Sequence, residues 1–146
     1  MKRIYIISGI LLIALDQLVK LLLQNKDITL IPNCLRLTYI ENTGTAFSYI
    51  QNNIGIIITL NIIILIGIII FIIIKRAKIK NLTFLSLILI LSGGMSNLID
   101  RIVKGYVVDY INIEFLNFPI FNIADISIVI GIILLIFCIC REMKQD

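Results

Sequence analysis

The sequence has no histidine and no tryptophan, only three cysteines and two prolines, and charged side chains make up just 15% of it. Each scarcity removes a class of chemistry. Without histidine there is no imidazole to act as a general base or to bind zinc, and without a cysteine cluster a thiolate zinc site has no donors. Three cysteines make no disulfide framework. Cys138 and Cys140 stand two apart in a helical pattern and so do not face each other. Cys34 stands alone, preceded by Asn33 where a lipid-attachment signal wants a small residue. No metal and no cofactor are expected.

What is abundant is hydrocarbon. The 146 residues are 60% hydrophobic, against roughly 45–50% in soluble globular proteins. Length gives one domain, residues 1–146, and composition makes it an integral membrane protein. Four apolar runs, at about 4–23, 54–74, 82–102 and 123–140, each reach the ~20 residues needed to cross ~30 Å of bilayer as a helix. Met1-Lys2-Arg3 and the first run imitate a signal peptide. The run is too long, however, and no small-x-small cleavage site follows it, so it reads as an uncleaved first span.

The net charge of +4 has a positional explanation. Lys2 and Arg3 precede the first run, Lys75, Arg76, Lys78 and Lys80 separate the second from the third, and Arg141 and Lys144 follow the last. That is the positive-inside distribution, with both termini cytoplasmic. Nucleic acid is not needed to account for it. The fold expected is an all-α membrane protein, a four-transmembrane-helix bundle carrying a small extracytoplasmic β-cradle.

The cradle comes from the first connection. Ile28-Thr29-Leu30-Ile31 and Leu35-Arg36-Leu37-Thr38-Tyr39-Ile40 have strand-like composition, and Glu41-Asn42-Thr43-Gly44-Thr45-Ala46-Phe47 reads as a turn. The second span is nearly pure isoleucine and leucine and carries no chemistry. Halfway along the third, the character changes: Ser92, Gly93, Gly94, Ser96, Asn97, Asp100 and Arg101 follow within ten residues. Gly93, Asn97, Asp100 and Arg101 share one broad helical face, where glycines admit a close neighbour. The stretch 104–120 is extracytoplasmic, with Asp109 at the membrane surface.

A carboxylate or guanidinium inside a bilayer costs at least ~2.5 kcal/mol, so such groups are usually retained for a task. Asp16 and Lys20 lie one turn apart in the first span, in the favourable acid-before-base order. Two uses stay open for them: a self-neutralising support, or direct involvement with a substrate. Asn122 suits the N-cap of the fourth span, with Asp125 at the third helical position completing a capping box. With the amino terminus inside, Asp16, Lys20, Asn42, Asp100, Arg101, Asp109, Asn122 and Asp125 gather at one level near the outer face. Asp109 and Asp125 flank a single loop. Two carboxylates held close cannot both ionise easily, so the pair shares a proton. Such a dyad activates a water with one oxygen and protonates the leaving group with another, which is aspartic-peptidase chemistry.

At these residues the sequence resembles the lipoprotein signal peptidase (signal peptidase II) family of bacteria. Asp16-Gln17-Leu18-Val19-Lys20, Asn42-x-Gly44-x-Ala46-Phe47, Gly93-Gly94-x-x-Asn97-x-x-Asp100-Arg101, Val108-Asp109-Tyr110 and Phe121-Asn122-x-Ala124-Asp125 follow its successive motifs over almost the whole chain. The resemblance implies that Asp109 and Asp125 are the catalytic dyad and that Asn122 orients a catalytic carboxylate. Asn97 and Arg101 would contact substrate or shape the pocket, with Asp100 supporting them, while Asp16, Lys20, Asn42 and Gly44 build its outer wall. It further implies a multi-pass protein of the bacterial cytoplasmic membrane, with its site toward the extracytoplasmic face and a further helical segment there. The reaction implied is removal of the signal peptide from diacylglyceryl-modified prolipoproteins, with the cut just before the lipidated cysteine. Partners are then prolipoprotein substrates and membrane lipid, with the enzyme itself a monomer.

Two other classes compete. A proton-coupled transporter would carry ionisable groups through the bilayer and an internal repeat; the acids here lie toward one side, and no repeat is present. A non-catalytic scaffold would use the acids as helix caps only, leaving Asn97 and Arg101 on a glycine-lined face without a task.

Overall fold

The computed structural model describes residues 2–44, 54–116 and 118–144. Four helices dominate: α1 (Lys2–Leu22), α2 (Ile54–Lys75), α3 (Asn81–Lys104) and α4 (Ile123–Met143). All four are long and apolar enough to cross a membrane. Each lies within three residues of the boundary read from hydropathy. Most of the overshoot is polar or basic: Lys2, Lys75, Lys104 and Arg141 extend helices beyond their hydrocarbon. Continuing the backbone ladder satisfies main-chain groups, while long side chains reach back toward water.

The chain order does not match the packing order. Helix α3 touches α1, α2 and α4, and holds most of the buried helical residues, whereas Leu65 is the one buried residue of α2. Isoleucines such as Ile7, Ile63, Ile73 and Ile133 are well over half exposed, as expected of surface that meets lipid. What draws the helices together is small residues and polar side chains. Gly93 on α3 is the closest case, since a Cβ there would lie 2.2 Å from the Ala124 carbonyl oxygen on α4. From the other side, a Cβ on Gly131 of α4 would meet the Ser86 carbonyl oxygen at 2.8 Å, and the Ser127 hydroxyl donates to Leu89 O at 2.8 Å.

A three-stranded antiparallel sheet closes one end of the bundle, in the order β1 (Asp27–Ile31), β2 (Leu35–Asn42), β3 (Val107–Ile113). The first two strands stand where the sequence predicts them. Strand β3 was not predicted, because Val107-Val108-Asp109-Tyr110 also reads as an interfacial loop. It forms by pairing with a distant partner: Glu41 lies opposite Val108, and Asn42 opposite Val107. The same pairing corrects the turn expected from Glu41 to Phe47. Glu41 and Asn42 belong to β2, and the bend begins beyond them at Gly44; Ala46 and Phe47 lie outside the described residues. Of the further helical segment expected at this end, the described residues after β3 show a single 3-10 turn, Glu114–Leu116; residues 45–53 lie outside the described residues. Val108 and Tyr110 point from β3 onto Leu23 and Val19 of the first helix and its exit, which fixes the sheet to the bundle.

The basic clusters gather at the opposite end. Lys2 donates to the Arg76 carbonyl oxygen and stands 5.5 Å from the Phe84 ring, and Lys80 pairs with Glu142. The amino terminus, the α2–α3 loop and the end of α4 therefore share one end, as the charge pattern predicts.

The contact at Gly93 leads to a stability prediction. Gly93→Ala forces a methyl group into backbone, and should cost about 1–3 kcal/mol in detergent unfolding, as overpacking does. Gly67→Ala on α2 meets nothing within 4 Å and should leave stability unchanged or raise it. Equal melting temperatures for the two variants would refute close α3–α4 packing as the constraint.

Candidate active site

The first turn of α4 begins the site. Four main-chain N–H groups at a helix start have no main-chain partner within the helix, and here side chains satisfy all four, two of them from other elements. Ile123 N donates to the Tyr110 hydroxyl of β3 at 3.2 Å, and Ala124 N to Asp16 Oδ1 of α1 at 3.3 Å. Asp125 N donates to Asn122 Oδ1 at 2.9 Å, and Asn122 N returns a bond to Asp125 Oδ2 at 3.2 Å, which completes the capping box. Capping is therefore real. It uses Asn122 Oδ1 and Asp125 Oδ2, and leaves Asn122 Nδ2 and Asp125 Oδ1 for other partners.

The remaining atoms face the acids. Asn122 Nδ2 donates to Asp109 Oδ1 at 2.7 Å and lies 3.2 Å from Val108 O. Phe121 sets this register, because its carbonyl accepts from Tyr110 N and Ile111 N, so the chain entering α4 runs against β3. On the other carboxylate, Asn97 Nδ2 of α3 donates to Asp125 Oδ1 at 2.7 Å. Asn97 Oδ1 accepts from Lys20 Nζ at 3.2 Å and from Asn122 Nδ2 at 3.3 Å. Two asparagines thus link the two aspartates. No cation forms an ion pair with either acid among the described residues.

Asn42 supplies the second donor to Asp109. Its Oδ1 accepts from Gly44 N at 2.8 Å, which leaves Nδ2 to donate to Asp109 Oδ2 at 2.7 Å. Gly44 makes this bend at φ +91°, a conformation that side chains resist. A Cβ there would also press on Ile57 of α2 at 2.9 Å.

Beneath the pair lies a neutralised layer. Lys20 Nζ sits 2.7 Å from Asp16 Oδ2 and 2.8 Å from Asp100 Oδ2, all three side chains wholly buried. Asp100 also accepts from Lys104 Nζ and from Val108 N. Asp16 and Lys20 are each occupied by partners within the protein. Gln17, Ser96 and Tyr110 join this layer without having been singled out as site residues. Ser96 Oγ and the Tyr110 hydroxyl donate to Asp16, and Gln17 Nε2 reaches Ser96 and Asp100. A signal for Ser96 was present, since Ser92, Ser96 and Asp100 recur every four residues on the α3 face that meets α1.

Arg101 differs from its neighbours. It is half-buried and within electrostatic reach of Asp125, Asp109 and Asp100, yet its guanidinium has no hydrogen-bond or ion-pair partner among the described residues. Beside Asp125 a cavity of about 400 Å³ opens, lined by Phe118, Pro119, Phe121, Ile126, Val129 and their neighbours. Phe118 and Phe121 meet edge to face there, with centroids 5.7 Å apart.

Burial pushes the Asp109 carboxyl up from 3.8 to about 6; the Asp125 charge adds to this, while bonds from Asn42 and Asn122 and the Lys20 charge oppose it. Burial and the adjacent Asp16 hold the Tyr110 phenol above its usual range, so it remains a neutral donor.

Comparison with known proteins identifies the family. The family model described as signal peptidase (SPase) II matches residues 8–141. The chain belongs to that family. The lipoprotein signal peptidase of Streptococcus agalactiae serotype V is 44% identical, over 97% of this chain and 96% of that protein. Its counterpart in Streptococcus pyogenes serotype M2 is 38% identical, over 97% and 95%. Two solved structures of bacterial membrane enzymes share the fold. One has a TM-score of 0.87 at 30% identity, covering 97% of this chain and 90% of that one. The other has a TM-score of 0.83 at 31% identity, covering 92% and 91%. This is a multi-pass bacterial membrane protein and an aspartic peptidase of the signal peptidase II type, whose family acts on prolipoprotein signal peptides.

The raised Asp109 carboxyl predicts a pH dependence of stability. Between about 3.8 and 6 the folded state binds more protons than the unfolded one, so stability falls as pH rises through that window. The slope is at most about 1.4 kcal/mol per pH unit for one group. Thermal unfolding in detergent from pH 5 to pH 7 should show it in the natural protein and show less of it in Asp109→Asn. An unchanged slope in the variant would assign the titration elsewhere.

Proposed function

We propose that Asp109 and Asp125 together activate the water that removes the signal peptide of a diacylglyceryl-modified prolipoprotein, cutting before the lipidated cysteine. The observation that carries this is the state of the two acids. They are held by asparagine amides, without a paired cation among the described residues, above two other acids that Lys20 and Lys104 neutralise. Amides can bind a carboxylate and leave its proton affinity high, which a salt bridge would not.

One member of the pair holds a proton and the other does not. The ionised carboxylate takes a proton from water as the water oxygen attacks the scissile carbonyl, and the protonated one donates to the carbonyl oxygen. Collapse of the tetrahedral intermediate breaks the C–N bond, and a proton passes to the departing cysteine amine. The signal peptide leaves with a new carboxylate. General acid–base assistance of this kind is worth ~10²–10⁴-fold. Asn122 orients Asp109, and Asn97 orients Asp125. Arg101, without a partner among the described residues, donates to carbonyl oxygens of an extended substrate, while Asp16, Lys20, Asp100, Asn42 and Gly44 hold the wall in place. The monomer is the working unit, and residues 1–146 act as one peptidase domain.

Both termini lie in the cytoplasm, and the acids lie toward the extracytoplasmic face. At that depth a signal peptide's apolar segment can slide along the bilayer. Two acyl chains on the next residue stop the sliding, each methylene contributing ~0.8 kcal/mol on burial. The apolar cavity beside Asp125 suits the start of such a chain. Purified protein would be incubated with matched precursors, one diacylglycerylated at its cysteine and one not. The lipidated precursor should be cut at least 100-fold faster; equal rates over a substrate titration would indicate an ordinary intramembrane protease.

A further inference from the structure

The end of the bundle away from the acids carries a second hollow that the peptidase reaction does not use. The last turns of α4 and the start of α3 enclose a cavity of about 360 Å³, lined by Lys80, Leu82, Thr83, Phe137, Arg141 and Glu142, with Cys138 between them. A smaller one of about 160 Å³ adjoins it. The two share Lys80, Thr83 and Glu142, and the smaller adds Lys75 and Lys78 from the end of α2 and its loop. Among the described residues, four cations therefore border the pair of cavities, against one acid. That acid, Glu142, is already paired with Lys80 at 3.2 Å. Helix α3 starts here with Lys80 at its N-cap, no side-chain cap and no acid in its first turn, so its dipole adds to the positive field. The floor is apolar: Leu82 and Phe137 are each partly open to the lipid side.

We propose that this cleft binds the headgroup of an anionic membrane phospholipid. The phosphate sits among Lys75, Lys78, Lys80 and Arg141, and the first carbons of an acyl chain rest on Leu82 and Phe137. Depth favours a lipid over a soluble anion. The cations stand where the apolar lengths of α2, α3 and α4 end, which is headgroup level, and a free phosphate would leave the apolar floor unused. Basic hollows between spans are suited to such headgroups. A lipid there would tie together the ends of α2, α3 and α4, of which α2 is otherwise held by little buried surface.

Native mass spectrometry of the full chain tests this directly. Protein would be released from an equal mixture of phosphatidylglycerol and phosphatidylcholine, and the lipid retained on it measured. Phosphatidylglycerol should be retained in preference. Arg141→Gln should weaken that retention about fivefold, the loss expected for one basic side chain beside an anionic group. Lys26→Gln, with the same change of charge on an exposed residue at the sheet end, should not. Excess inorganic phosphate should fail to displace the lipid. Equal retention of the two lipids, or equal weakening by the two variants, would overturn the proposal. Displacement by inorganic phosphate would make the cleft a simple anion site and overturn it too.

Discussion

One buried lysine supports the polar end of this protein. Lys20 lies between Asp16 and Asp100 with none of the three side chains exposed, and it also reaches Asn97. An unpaired charge in that position would cost several kcal/mol, and removing one partner of such a pair typically costs 3–5 kcal/mol. Three helices are tied by the arrangement, since Asp16 and Lys20 come from α1, Asp100 and Asn97 from α3, and Asp16 continues to Ala124 N on α4. In lipid, where burial of hydrocarbon gives little preference for one helix packing over another, such contacts set the register.

The electrostatic consequence reaches the acids above. Asp16, Asp100, Asp109 and Asp125 are four carboxylates, and Lys20, Lys104 and Arg101 are the three cations near them. Lys20 and Lys104 are committed to the lower layer. What is left over is close to one negative charge, which a single proton shared by the upper pair removes. A site short of one cation is poised to hold a proton, and burial, with the Asp125 charge adding to it, raises the Asp109 carboxyl to about 6. Stability is given up there for function, as is common where acids are kept apart from cations.

Much of this could be read in the sequence, and the parts that could not have a common cause. Hydropathy marks α1 to α4 because crossing a bilayer demands long apolar helices. The acids stand out because charge is scarce in such a chain, and Asn122 and Asp125 declare their cap through local spacing. Strand β3 was hidden because its partner, β2, lies at least 65 residues earlier, and a seven-residue stretch interrupted by Asp109 does not reveal which strand it will join. Tyr110 was hidden for the same reason: its hydroxyl matters only once β3 lies against the start of α4. Glu41 looked like part of a turn until the pairing with Val108 extended β2 through it. Local signals were legible; pairings between distant segments were not.

The central claim is that Asp109 and Asp125 perform the hydrolysis, rather than only fastening α4 and β3. Asparagine separates the two roles, being nearly isosteric: its one amide oxygen can keep the capping bond from Asn122 N at position 125, or the bond from Asn122 Nδ2 at position 109, while its amide nitrogen gives up the bond from Asn97 or Asn42. Asp109→Asn and Asp125→Asn would be purified, shown to keep the natural protein's folded bundle in detergent, and assayed on a diacylglycerylated precursor. Each should cleave at least ~10²-fold more slowly than the natural chain. Near-normal turnover by a folded Asp125→Asn protein would reduce that residue to a helix cap and contradict the account.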